Sequence, residues 1–237
     1  LARGRARSRA PERPGRRPIK METERLKKGV SRGMSPRYRI FRRFMLALGW
    51  LLFGFTAVGA EKVPKEGPLI VAANHRRYAD PVFVSMAVPR RIQWMAKKQL
   101  FIAPFDKFFF FIGAFPVDRE KGGRAALRVA LDLLAANWAL GIFPEGTRRK
   151  AYDPEDTPKS GVAMLASRTS AAVLPVFVDR VPNPLERFRG EKLHVYIGDP
   201  IDTHNTREGR KGRREIADRV LRAIYDLKGG GAVGASP

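Results

Sequence analysis

From Val63 onward, short apolar runs alternate with stretches of helical periodicity, and that alternation restricts the architectures open to the chain. Leu69–Ala73, Ile92–Ala96, Ala114–Val117, Ala139–Phe143, Ala171–Val178 and Leu193–Ile197 read as strands. Pro81–Ala87, Gly123–Asn137, Gly161–Ser167 and Thr206–Leu227 read as helices, the last ended by Gly229-Gly230-Gly231. In Gly123–Asn137 the residues Leu127, Leu131 and Leu134 share one face with Trp138, and Arg124, Arg128 and Asp132 share the other. Strands that are continuously apolar must be covered on both faces, and intervening helices supply the cover. The expected fold is α/β, a mainly parallel central sheet flanked by helices. In such sheets ligands gather at the carboxyl ends of the strands.

The N-terminal part reads differently. Residues 1–43 hold 16 Lys and Arg against Glu12, Glu22 and Glu24, more than half of a net charge of +23. Residues 1–35 read as a disordered basic lead, with almost nothing to bury. Met21 and Met34 each offer an alternative start, so no function is placed before Met21. Phe44–Ala60 then runs 17 residues without a charge. As one helix it would be about 26 Å long against a hydrocarbon core of about 30 Å. Three readings compete: a signal peptide, a buried core helix, and a membrane-inserted or interfacial anchor. The long basic lead argues against the first. The preferred reading is the anchor, because each basic residue near an anionic leaflet contributes about 1 kcal/mol. The expected organisation is a membrane-associated helical segment over 36–61, a catalytic domain over 62–227 and a flexible tail over 228–237. With no cysteine in the chain, thiolate nucleophiles, thiolate metal sites and disulfides are excluded.

Three polar clusters directly follow expected strands. In Asn74-His75-Arg76-Arg77-Tyr78-Ala79-Asp80-Pro81, His75 can act as a general base with Asp80 fixing its tautomer. The competing reading makes Asp80 a helix N-cap followed by proline, and the two roles are compatible. In Phe143-Pro144-Glu145-Gly146-Thr147-Arg148-Arg149 a tight turn is expected to expose Glu145, Thr147 and Arg148, a set that suits phosphate. An ordinary polar turn is the alternative. Gly113 to Arg119 ends in Asp118-Arg119, either a phosphate clamp or a surface ion pair. No Ser accompanies His75 in a nucleophile motif, so a base at that position would need its nucleophile from the substrate.

Taken together, these blocks resemble those of the glycerolipid acyltransferases, most closely the bacterial lysophosphatidate acyltransferases. The His-x4-Asp block matches at Asn74, His75, Asp80 and Pro81, Gly-x4-Asp-Arg at Gly113–Arg119, and Phe-Pro-Glu-Gly-Thr-Arg at Phe143–Arg148. An apolar run ending in proline matches at Val173-Leu174-Pro175-Val176. Lys159-Ser160-Gly161 and Gly198-Asp199-Pro200-Ile201 look like further family landmarks, and the resemblance spans roughly residues 40 to 225. It implies a glycerolphosphate acyltransferase-like fold, with His75 as base and Asp80 as its orienting partner. It implies acceptor binding by Arg119, Glu145, Gly146, Thr147 and Arg148. Lys97 and Lys98 resemble a lysine region lining the site. The implied reaction moves a fatty acyl group from acyl-CoA or acyl carrier protein to lysophosphatidate at the cytoplasmic face of the cell membrane. It needs no cofactor and no metal. Arg149 stands where Ser is common, and Arg76 and Arg77 make the histidine loop more basic than most, which leaves another lysolipid or alcohol open as acceptor.

Two further expectations complete the reading. Leu100–Phe115, with its many phenylalanines, is expected to line an acyl tunnel, to dip into the lipid interface, or to be core. Nucleic acid is the competing partner for so basic a chain, but no reading motif is present and the basic excess sits in the lead, so none is expected.

Overall fold

The structure is a computed structural model and describes residues 34–103, 105–117, 123–148, 161–203 and 209–230. The chain divides into two units, Leu1–Val30 and Ser31–Pro237, and every described residue lies in the second.

The first element is helix α1, Pro36–Phe53. Ser35 caps it by accepting the Tyr38 amide, and proline occupies its first turn. It ends at Gly54, whose φ of 59° lies in the left-handed region, and the Gly54 amide returns to the Trp50 carbonyl. The apolar run expected as one helix over Phe44–Ala60 is therefore divided. Its first part is the end of α1, and Thr56–Val58 forms the edge strand β1. Among the described residues no helix is long and apolar enough to cross a membrane. The physical reason is the upstream half of α1, where Arg37, Arg39, Arg42 and Arg43 interrupt the apolar surface.

Strand β2 follows at Leu69–Ala73, then α2 at Asp80–Ala87, β3 at Ile92–Lys97, α3 at Phe105–Phe111 and β4 at Ala114–Val117. Next come α4 (Gly123–Ala135), β5 (Ala139–Ile142), α5 (Gly161–Ala166) and β6 (Ala172–Val178). The chain closes with α6 (Pro184–Phe188), β7 (His194–Ile197) and α7 (Gly209–Gly230). The described strands form one sheet of seven in the order β1-β7-β6-β2-β5-β3-β4. Every pairing is parallel except β6 with β7. The expected mainly parallel sheet is thus present, and the central strand β2 is wholly buried.

Alternate residues of β2 face opposite layers. Leu69, Val71 and Ala73 join Phe83, Val84 and Met86 of α2 in one continuous core, to which Met45, Leu46 and Phe53 of α1 add their apolar sides. On the other face α7 buries Ile216, Val220 and Ile224, beside Leu133 and Leu134 of α4 and Val162 and Leu165 of α5. Helix α7 continues through Gly229 and Gly230 rather than stopping before them. A final turn tolerates glycine at about 1 kcal/mol per residue when a long buried face has already nucleated the helix.

The phenylalanine-rich stretch divides: α3 at its centre has no fully buried residue and exposes Phe105 and Phe108, whereas Phe101 and Phe109 pack against the core and Ala114 and Phe115 of β4 are buried in it. Phe111 meets Tyr38 and Phe41 of α1 edge-on at 6.0 and 5.2 Å. Arg91 joins the two helices, donating to the Phe110 and Phe111 carbonyls while its guanidinium lies 5.2 Å from the Tyr38 ring centre. Burial holds the Arg91 pKa below its ordinary value and raises that of the Tyr38 phenol.

Candidate functional site

The site sits where β2 and β5 end side by side. After β2 the chain leaves towards β3; after β5 it turns back, past β2, to β6. Adjacent strands whose connections diverge open a crevice at their carboxyl ends.

Asn74 is the first residue beyond β2 and is fully buried. Its amide nitrogen donates to the Val178 carbonyl at 2.9 Å, and its carbonyl accepts the Val178 amide at 2.7 Å. The side chain thereby continues the β2–β6 pairing past the end of the ladder and fixes where the next residue emerges. That residue is His75. Its Nδ1 lies 3.1 Å from Asp80 Oδ2. A carboxylate only accepts, so in the neutral imidazole Nδ1 carries the proton and Nε2 the lone pair.

Asp80 does more than hold the imidazole. The same Oδ2 accepts the backbone amides of Arg76 and Arg77, both at 2.6 Å. Three donors on one buried oxygen wrap the loop around the carboxylate, whose side chain is 2% exposed. The expected N-cap role is corrected here. The cap position is Ala79, Asp80 is the first helical residue, and its side chain bonds backward to the loop instead of forward to the helix. Its proximity to three N–H donors, not helix capping, is why an acid stands there.

The imidazole rests on a column of rings. His75 stacks on Phe143 with centres 4.0 Å apart, and Phe143 stacks on Trp94 at 5.0 Å. Trp94 donates its indole N–H to Ser85 Oγ, which donates to the Pro81 carbonyl. Trp94 can lie flat because its β5 neighbour is Gly141: a Cβ there would stand 2.4 Å from the indole ring. The histidine is thus fixed by an acid at its edge and by rings beneath its face.

Phe143 also opens the second loop. The Gly146 amide donates to the Phe143 carbonyl at 2.9 Å, closing a turn in which Gly146 has φ 70°. Thr147 and Arg148 project from this turn and are exposed. Glu145 does not: the expectation that the turn exposes it is corrected. It is 7% exposed, and its Oε1 accepts the Tyr225 hydroxyl of α7 at 2.5 Å. Burying a charged carboxylate requires such a partner, and the bond ties the turn to the helix layer. Tyr225 meets Phe177 edge-on at 5.7 Å, and Arg76 stands over that same Phe177 ring. Both loops are therefore tied to one aromatic pair beneath them.

Across the sheet, Lys97 ends β3 and Lys98 begins the short 3₁₀ turn after it, both exposed. The β3–β4 register sets Lys97 opposite Val117, two residues before Arg119. Arg119 lies outside the described residues. Gly113, which opens the same block, has φ 92°, and a Cβ there would stand 2.3 Å from the Ile92 carbonyl oxygen. Among the described residues no three His, Asp or Glu side chains gather to hold a metal ion.

Trp94, Gly141 and Tyr225 escaped sequence reasoning as working parts, and so did the Val178 partner of Asn74. Each acts through a partner distant in sequence, which spacing does not reveal. The α6 helix was also missed, although Asn183-Pro184 followed by Glu186 is a readable capping box.

Comparison with known proteins bears on this arrangement. The sequence profile of the family described as Acyltransferase matches residues 54–179. The 1-acyl-sn-glycerol-3-phosphate acyltransferase of Bacillus subtilis is 31% identical over 151 residues, 62% of this chain and 74% of that protein. That of Borreliella burgdorferi is 30% identical over 179 residues, 72% of this chain and 71% of that protein. Among solved structures, the 1-acyl-sn-glycerophosphate (LPA) acyltransferase PlsC from Thermotoga maritima shares the fold at a TM-score of 0.61 and 21% identity, covering 92% of this chain and 83% of that one.

Proposed function

The chain belongs to the acyltransferase family, and on that footing we propose that it acylates the free hydroxyl of lysophosphatidate, giving phosphatidate. The observation that carries this reading is the His75–Asp80 pair, with Nε2 uncommitted, beside a turn that presents Thr147 and Arg148.

In the proposed reaction His75 Nε2 takes the proton of the acceptor hydroxyl as its oxygen attacks the thioester carbonyl. The carbon–oxygen bond forms, the tetrahedral intermediate collapses, and the carbon–sulfur bond breaks. The imidazolium returns its proton to the leaving thiolate. Asp80, buried against Nδ1, stabilises the positive imidazole in between and keeps its Nε2 directed outward. Thr147, Arg148 and the Gly146 turn receive the acceptor phosphate, with Arg119, Lys97 and Lys98 on the β3–β4 side. Glu145 supports that turn through Tyr225. Acyl-CoA or acyl carrier protein supplies the thioester.

The proposal extends to residence at the cytoplasmic face of the cell membrane. Ile40, Phe44, Trp50 and Leu51 of α1 are exposed, as are Ile102, Phe105 and Phe108 beside its first half. At its other end α6 exposes Leu185 and Phe188, the latter between Arg187 and Arg189. An apolar surface with Arg37, Arg39 and Arg43 along it suits an anionic interface.

The test supplies purified protein and its His75→Ala variant with labelled acyl-CoA or acyl carrier protein thioester and a panel of lysolipids, and reads products by mass. Phosphatidate formation lost on His75→Ala, by 10²-fold or more, is the expected result. Transfer to a different lysolipid would replace the acceptor and keep the mechanism. No transfer from folded protein would overturn the reading.

A further inference from the structure

Tyr78 is 83% exposed at the tip of the histidine loop, and an aromatic ring so placed buries almost no apolar surface of its own. One contact accounts for it. The Arg148 guanidinium lies 3.5 Å from the ring centre. At that distance the cation covers the ring face, and its donors radiate from the edge of the guanidinium plane. Stacking therefore occupies the one part of Arg148 that phosphate does not use. It also restrains a long side chain that otherwise carries about 2 kcal/mol of rotamer entropy.

The backbone under Tyr78 is itself fixed, because Asp80 accepts the amides of the two residues before it. Two stacks then join the two loops: His75 on Phe143 and Tyr78 under Arg148. The first sets the base and the second sets the cation, so their separation is held by the same pair of loops. An acceptor carrying a phosphate one carbon from its reactive hydroxyl needs such a fixed separation.

We propose that Tyr78 is a positioning residue that presents the edge of Arg148 to the phosphate of the acceptor. This rests on the acceptor reading above. Phosphate also occurs on the acyl-CoA donor, and the kinetics separate the two sources.

The experiment compares Tyr78→Phe, Tyr78→Leu, Arg148→Ala and the Tyr78→Leu/Arg148→Ala double variant. Tyr78→Leu raises KM for lysophosphatidate about 2–5-fold, the range of an exposed cation–π contact, while the loss does not fall on kcat. Tyr78→Phe keeps the ring face and restores the original KM. In the Arg148→Ala background, Tyr78→Leu adds nothing. An unchanged KM in Tyr78→Leu, an equal loss in Tyr78→Phe, or an undiminished effect without Arg148 each overturns the proposal. A rise confined to the KM of acyl-CoA overturns the assignment to the acceptor.

A second measurement does not need turnover. Glycerol 3-phosphate is titrated into the full chain and followed by NMR. Weaker binding in Tyr78→Leu, recovered in Tyr78→Phe, is expected. Binding that is absent, or equal in all Tyr78 variants, overturns the proposal. Tyr78-dependent binding in a protein that fails to acylate lysophosphatidate overturns the acceptor reading alone.

Discussion

The pairing of His75 with Asp80 was legible because a five-residue loop returning to a helix start brings its two ends together. What sequence could not give was the way Asp80 works. A cap and a loop anchor require the same residue at the same place, and only the direction of the carboxylate separates them. The distinction sharpens a prediction. Asp80→Asn retains an oxygen able to accept the Arg76 and Arg77 amides, so the loop keeps its shape at a cost of about 1 kcal/mol. It removes the acid that, in the proposed mechanism, stabilises imidazolium. The expected outcome is a kcat lower by about 10²–10⁴-fold, with a thermal midpoint only a few degrees lower. Near-complete activity would mean that the carboxylate serves only the loop. Gly141 yields a second residue-scale prediction. Gly141→Ala places a methyl inside the Trp94 ring, a rigid neighbour that cannot swing aside like the end of a flexible chain. The variant is expected to lose about 1–3 kcal/mol in denaturant unfolding and to lose kcat as well, because the column under His75 shifts. A stable variant with full activity would show that the ring column is dispensable.

At the scale of elements, the strands and long helices were readable because burial on both faces leaves continuous apolar runs. The N-terminal run misled for the same reason. A helix and an edge strand, both partly apolar and joined by Gly54-Phe55, present one unbroken hydrophobic word. The glycine was the available signal. The phenylalanine stretch resisted because the residue type does not say whether an aromatic ring faces core or surface, and here Phe115 is buried while Phe105 and Phe108 are exposed. Its exposure, together with that of α1, leads to a third prediction. Trp50→Ser/Leu51→Ser changes two exposed positions and leaves the buried face of α1 intact. Sedimentation with vesicles containing anionic phospholipid should fall by at least tenfold in the partition coefficient, from the roughly 1.5–3 kcal/mol each large side chain contributes when buried. Raising salt should weaken binding further. Undiminished sedimentation would mean that another surface carries the contact.

For the whole molecule, the alternation of strands and helices specified the class, a mainly parallel sheet flanked by helices. It did not specify strand order, nor the reversal of β7, because pairing partners are set by long-range packing rather than by local pattern. The placement of β1 was likewise hidden, since a three-residue strand has too few side chains to show a period. Yet β1 determines how the two ends of the molecule relate. The Phe53 carbonyl, last in α1, accepts the Leu193 amide, and the Thr56 amide returns to the Leu193 carbonyl. Helix and sheet edge are thus bonded to each other across only Gly54 and Phe55, and Phe55 is buried. Such a junction couples the direction of α1 to that of the sheet. In the proposed membrane contact through α1, the end of the sheet that carries His75 is aimed by the same event, and the rotational search that a tethered domain would still have to make is already finished on landing.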